Sequence, residues 1–540
     1  MAQPARSDPD GRRMRGRWAA ARLLVGVGLL AAGSGTAVLA ADRPGAVTVL
    51  GAERPVAAGA RDPGDTRANN SPTLTRSPTD PGRLVVVNRV DLPAYSCALH
   101  ESGDGGRTWR ELPIPFPAGE ELPERCFAPD AAFGADGGLH VVFATLKGLG
   151  NSPNAIWATS MAPGEAALST PVKVLGRLSF QVRLAADPQV AGRLYLTWLR
   201  AEGVGLALFP ETGNPIMMIR SEDGGRTWGE PSRVSPPSRA RVVAPSPGVS
   251  DAGRLWVLYV DLGEDKLDYH GAHEWRAGAP YAGTWSLVLA RSADGGRTWE
   301  ETVVDDAVVP TQRFLVFLPQ SPSLAVDRAG RHVYVGFSDG KLGDADVWVR
   351  SSDDGGVRFG PRRRVNDTVR RDGTWQYLPK LAVAPGGRLD VVYYDRRADR
   401  DNVMNGVSYQ ASFDRGRSFT PAQPLSGRTF DSRIGFGSRR GLPDLGSRLG
   451  LLAGGDRVLA VWTDTRAGTQ ANSKQDLALA TVSVDEPVRR GGVRTLGWTA
   501  AAAGLVLAAS SRRGRRRPGP GPEPPAGPAA ADDDGPHPAP

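Results

Sequence analysis

The chain has 540 residues, 40% hydrophobic and 7% aromatic, with 67 Gly and 45 Pro. That composition suits many short strands and turns and excludes disorder throughout. The net charge of +8 sits in the tails, with six Arg against two Asp in residues 1–22 and eight Arg against four acids in residues 489–540. The middle is neutral, which excludes a general nucleic-acid or polyanion binder.

At the amino end, Arg12, Arg13, Arg15 and Arg17 precede an apolar run from Leu23 to Ala41. A basic stretch followed by an apolar one is an export signal, so residues 1–41 read as a signal peptide or signal anchor. Residues 42–70 are rich in Gly, Pro, Ala and Arg and read as linker, apart from the β-prone run 46–51, Ala-Val-Thr-Val-Leu-Gly.

Residues 71–484 then repeat one rhythm: an inner strand, a turn, a strongly apolar strand, a third strand, a Gly-rich corner and a fourth strand. Seven second strands stand out: Leu84–Val87, Leu139–Phe143, Leu194–Trp198, Leu255–Tyr259, Val333–Phe337, Leu389–Tyr394 and Val458–Trp462. Their nearly continuous apolar character predicts burial on both faces.

The corner is itself a repeat. Ser102-Gly-Asp-Gly-Gly-Arg-Thr-Trp109 recurs at Ser221–Trp228 and Ser292–Trp299, and more loosely at Ser352–Phe359 and Ser412–Phe419. Ser and Asp side chains bond turn amides, Gly supplies positive φ, and the aromatic residue leaves to enter an apolar layer. The aspartates Asp104, Asp223, Asp294, Asp354 and Asp414 are therefore expected to be structural.

This skeleton resembles the Asp-box, or bacterial neuraminidase repeat, of the sialidase superfamily, where it joins the two outer strands of β-propeller blades. The resemblance implies an all-β propeller of four-stranded blades. Seven blades are favoured by the seven units traced, with six plus an insertion as the alternative. The last unit lacks a clear fourth strand after Asp476–Ser483, so the run 46–51 is expected to close the ring. Cys97 and Cys126 are the two cysteines, and in an exported chain they are expected to form a disulfide.

Residues 485–494 read as linker, 495–511 as a short transmembrane segment, and 512–540 as a basic, then Pro/Gly-rich, cytoplasmic tail. The expected location is the cell membrane, with the propeller facing the extracellular side.

Chemistry is expected on the face opposite the corners, where the loops after the second strands hold Asp91, Asp261, Asp339, Asp395, Arg396, Arg397, Asp464 and Arg466. Positions leading into the inner strands add Asp130, Arg183, Tyr377 and Arg448. The resemblance implies a glycan or sialoside ligand. A sialidase-type glycoside hydrolase would draw a nucleophile from Tyr394 or Tyr377, an acid from Asp261 or Asp91, and a carboxylate clamp from Arg183, Arg397, Arg448 and Arg466. One departure counts against it: the Phe/Tyr-Arg-Ile-Pro sequence of sialidases is absent, and the first inner strand reads Asn70-Ser-Pro-Thr-Leu-Thr-Arg76. The competing reading is a non-catalytic propeller acting as a cell-envelope interaction or assembly platform, with the loop Asp and Arg residues closing turns. No cofactor is called for. His270 with His273, and Asp399 with Asp401 and Asn402, lack the full ligand series of a metal site.

Overall fold

The computed structural model describes residues 45–57, 64–120, 124–148, 151–201, 212–265, 281–311, 320–435 and 445–487. The expected export signal, the transmembrane segment, the cytoplasmic tail and the loop carrying His270 and His273 lie outside these residues.

Among the described residues the strands form seven antiparallel sheets. The first runs Asn69–Arg76, Leu84–Val90, Ser96–Ser102 and Arg110–Leu112 from the inside outward. Five more follow in sequence order, beginning at Cys126, Ser179, Val242, Ser323 and Gln376. The seventh consists of Gly450–Ala453, Arg457–Asp464 and Asp476–Asp485, and its outer strand is Ala46–Val49, with Ala46 opposite Asp485 and Val49 opposite Val482. Each inner strand touches the inner strand of the next sheet, and the seventh touches the first. The molecule is a seven-bladed β-propeller whose ring is closed by its earliest described strand, which covers an edge that would otherwise expose unpaired backbone groups.

Two boundaries differ from the sequence reading. Arg54–Pro55 also pairs with the seventh blade, and the first inner strand begins at Asn69, so the segment 42–70 is partly sheet. Asn and Pro are poor strand formers, and it is their neighbours in space that hold them extended.

The second strands are the core of each blade: Leu84–Val90 and Leu389–Asp395 are buried along their whole length. The five repeated corners share one hydrogen-bond pattern. Ser102 Oγ donates to Asp104 Oδ1 at 2.8 Å and accepts the Gly106 N–H at 2.9 Å. Asp104 in turn accepts the Arg107 and Thr108 amides and the Thr108 hydroxyl. The carboxylates of Asp223, Asp294 and Asp414 are occupied in the same way, and at Asp354 the Arg358 guanidinium stands in for the hydroxyl. These bonds stabilise the ionised form, and the five carboxyls are held below the usual aspartate range.

The inner strands carry a second repeat. Ser71, Ala128, Gln181, Ala244 and Leu378 adopt φ between 51° and 59°, and the register of their strands slips beside them. Each is a β-bulge, which re-aims the residues that follow. Pro72, Pro129, Pro245 and Pro379 come next in four of these, where the missing N–H costs no ladder bond. In the seventh blade Gly446 takes this place with φ 74°, and a Cβ there would lie 2.6 Å from the Ser71 backbone nitrogen. The bulges also latch neighbouring blades together. Asp130 accepts the Leu184 N–H, Gln181 the Ala244 N–H, Ser323 the Leu381 N–H, and Ser71 the Ser447 N–H.

Candidate ligand site in the central channel

Six inner-strand residues come two places after these positive-φ positions, and Ser323 opens the inner strand of the fifth blade. In blade order these are Thr73, Asp130, Arg183, Ser246, Ser323, Lys380 and Arg448, and six of them line a central cavity of about 100 Å³ that is open to solvent. Three are cationic, and Asp130 is the one carboxylate among the seven.

Asp130 is 2% exposed. It accepts hydrogen bonds from the Thr73 hydroxyl at 2.8 Å and the Leu184 amide at 2.9 Å. Arg183 Nε lies 3.2 Å from its Oδ2, and Arg448 Nη1 lies 3.3 Å from its Oδ1. Burial works against its charge, but the two guanidiniums and these donors outweigh burial and hold its carboxyl below the usual range. Arg448 also donates to Thr73 Oγ1 at 2.9 Å and to the Pro129 carbonyl at 3.0 Å. Burial, with Arg183 nearby, works against its charge, and Asp130 supports it. Lys380 is brought down to about 8 by burial and by repulsion from Arg183 and Arg448.

The remaining sequence candidates lie elsewhere. Tyr394 is 0% exposed, sealed between the sixth and seventh blades, where its ring meets Tyr377 and Phe430 and its hydroxyl accepts the Thr463 N–H at 3.2 Å. Burial pushes its hydroxyl far above the usual phenol range. Tyr377 is equally enclosed, bonded to Asn405 and Arg396. Asp261 accepts the Gly263 N–H and pairs with Arg239 at 3.1 Å. Asp91 is buried against Arg89 and Asn70. One Tyr–Glu pair that the sequence did not suggest, Tyr259 with Glu301, is closed off by the burial of Tyr259.

Arg397 and Arg466 belong to a local unit, Asp-x-Arg. In each, the Asp caps the arginine's own N–H and ion-pairs with its guanidinium: Asp395 with Arg397, and Asp464 with Arg466. Asp65–Arg67 and Asp431–Arg433 do the same. Asp399 likewise spends its oxygens on the amides of Asp401, Val403 and Met404, and Asn402 bonds Trp375 and Gly373. These groups shape loops.

Of the sequence-derived clamp, the structure therefore brings Arg183 and Arg448 together, around Asp130, and keeps Tyr394, Asp261, Arg397 and Arg466 apart from them. The sequence reading missed Lys380 and the hydroxyls of Thr73, Ser246 and Ser323. A signal for them was present: Pro followed by a polar residue recurs on five inner strands, at Pro72-Thr73, Pro129-Asp130, Pro245-Ser246, Pro322-Ser323 and Pro379-Lys380. Outside the channel, Cys97 and Cys126 are joined in a disulfide with a Cα–Cα distance of 5.5 Å, tying the first blade's third strand to the second blade's inner strand.

No protein-family model matches the chain, and no curated protein matches it. Among solved structures it is similar to a protein of unknown function from Dyadobacter fermentans DSM 18053, with 15% identity, 81% of this chain and 99% of that one covered, and a TM-score of 0.45. It is also similar to the Hadza microbial sialidase Hz136, with 16% identity, 64% and 65% covered, and a TM-score of 0.40. A third is the GH93 α-L-arabinofuranosidase of Fusarium graminearum, with 15% identity, 68% and 96% covered, and a TM-score of 0.38. The seven-bladed architecture rests on the strand pairing above and not on these remote likenesses.

Proposed function

We propose that this propeller recognises an acidic glycan, seating a sugar carboxylate in the central channel, and that it binds the sugar without hydrolysing it. The observation that carries the reading is the ring of three cations against one carboxylate. Arg183, Arg448 and Lys380 exceed Asp130 by two charges in a cavity of about 100 Å³. Cations held in a confined, partly desolvated cleft focus positive potential and favour a bound anion. Hydroxyls at Thr73, Ser246 and Ser323 suit the polar flank of a sugar.

Cleavage would need a proton donor and a nucleophile beside the anion. Asp130 is held ionised by its donors, and Tyr394 is spent on the blade interface. Both ends of the propeller also leave side by side, since Ala46 lies opposite Asp485, on the face of the repeated corners. The bulges sit in the first half of inner strands that run toward that face, so the ring lies nearer the opposite side. Neighbouring ends suit a chain tethered at the outer surface of a membrane.

Calorimetric titration of the purified chain with glucuronate, a sialoside and glucose tests the proposal. Saturable binding of the acids, weakened by salt and by Arg448→Ala, with no binding of glucose, is the expected result. Release of the aglycone from a fluorogenic sialoside would overturn the non-hydrolytic part. Equal indifference to all three sugars would overturn the whole.

A further inference from the structure

The cations of the ring are not equivalent. Arg183 and Arg448 both lean on Asp130. Lys380 is carried into the same cavity by the bulge at Leu378, and among the described residues its ammonium has no hydrogen-bond or ion-pair partner. The choice of residue is notable in this chain. Only six of its 66 Lys and Arg residues are lysines, at positions 147, 173, 266, 341, 380 and 474, so a cation in the channel would ordinarily be an arginine.

The two side chains differ in one chemical respect: a lysine can shed its proton and become a nucleophilic amine, whereas an arginine keeps its charge. Neighbouring cations and poor hydration are the usual means of bringing a lysine to that state near neutrality. Here burial comes first, and repulsion from Arg183 and Arg448 adds to it against the pull of Asp130, bringing the lysine down to about 8. On the order of a tenth of the side chain is then neutral at pH 7. The same guanidiniums offer fork geometry to a carboxylate.

We propose that Lys380 captures a small 2-oxo acid as an imine, with the acid's carboxylate held against Arg448 and Arg183. The neutral amine adds to the ketone carbon, the nitrogen becomes doubly bonded to that carbon, and the two amine hydrogens leave with the ketone oxygen as water. No electrons are exchanged and no cofactor is required. The inference rests on the reading of the channel as an anion site and adds a covalent activity to it.

The test is reductive trapping. The purified chain is incubated with pyruvate and sodium cyanoborohydride, and its lysine peptides are mapped by mass spectrometry. The Lys380 peptide gains the mass of pyruvic acid less one oxygen atom, on the order of tenfold faster than the other lysines. The rate saturates with pyruvate and is suppressed by excess lactate, which carries the carboxylate without the ketone. Lys380→Arg keeps the charge but has no amine to condense with a ketone, and it abolishes the adduct. Labelling of Lys380 no faster than the other lysines, with lactate still bound, would overturn the imine alone. Failure of lactate to bind the unmodified protein would overturn the anion site itself.

Discussion

Asp130→Asn separates the charge of the channel ring from its shape. The amide keeps an oxygen to accept from Thr73 or the Leu184 N–H, but it leaves Arg183 and Arg448 without their shared counter-ion. Removing one partner of a buried ion pair costs about 3–5 kcal/mol, because the remaining charge stays desolvated. Urea unfolding at pH 7 should show a loss of that size.

Affinity should move the other way. The excess of cations over carboxylates in the ring rises from two to three, and a unit charge removed from about 5 Å away at an effective dielectric of about 20 changes an anion's energy by roughly 3 kcal/mol. Titration at low salt should find glucuronate bound on the order of ten- to a hundredfold more tightly than by the unmodified protein, a gap that narrows as salt rises. Ligand at a hundred times its dissociation constant would then restore about 2.7 kcal/mol of the lost stability. A variant that loses stability without binding anions more tightly refutes the channel as an anion site. One that loses no stability refutes Asp130 as the ring's counter-ion.

Burial raises Asp476 to about 7, helped by Asp464 and opposed by Lys474. Its proton is thus held more tightly in the folded chain than in the unfolded one, so its contribution to stability is complete below about pH 4 and lost as pH rises through 7. Asp476→Asn should raise the unfolding free energy at pH 8 by up to about 4 kcal/mol and leave it unchanged near pH 4; equal effects at both pH values would contradict this. Gly446→Ala forces a side chain into positive φ against Ser71 at the seam of the first and seventh blades, and chemical denaturation should show a loss of about 2–4 kcal/mol. The Cys97–Cys126 bridge spans 29 positions, and replacing both residues with Ser should cost about 3–4 kcal/mol in urea, with the circular-dichroism spectrum of the fold retained.

How much of the molecule could be read in advance follows from how local each feature is. A corner such as Ser102–Trp109 closes its bonds within a few residues, so its five copies announce a hairpin wherever they occur. The second strands are buried on both faces, and a run such as Leu84-Val-Val-Val87 shows that directly. Even the closing role of residues 46–51 followed from a general constraint, that the edge of a last blade must be covered.

The channel could not be read this way. Residues 73, 130, 183, 246, 323, 380 and 448 are more than fifty positions apart along the chain and meet only because seven blades share an axis. The bulges that precede most of them are held by bonds between blades, such as Leu184 to Asp130 and Ala244 to Gln181. The loop arginines illustrate the converse. Arg397 and Arg466 have the charge and position of ligand-binding groups in the sequence, and only the folded chain shows each spent on an aspartate two residues before it. Sequence alone determined the second strands and the corners, because an unbroken apolar run marks the first and bonds closed within a few residues specify the second. Tertiary structure decided which charges remain free to act, because a charge is available only where its folded surroundings leave it unanswered.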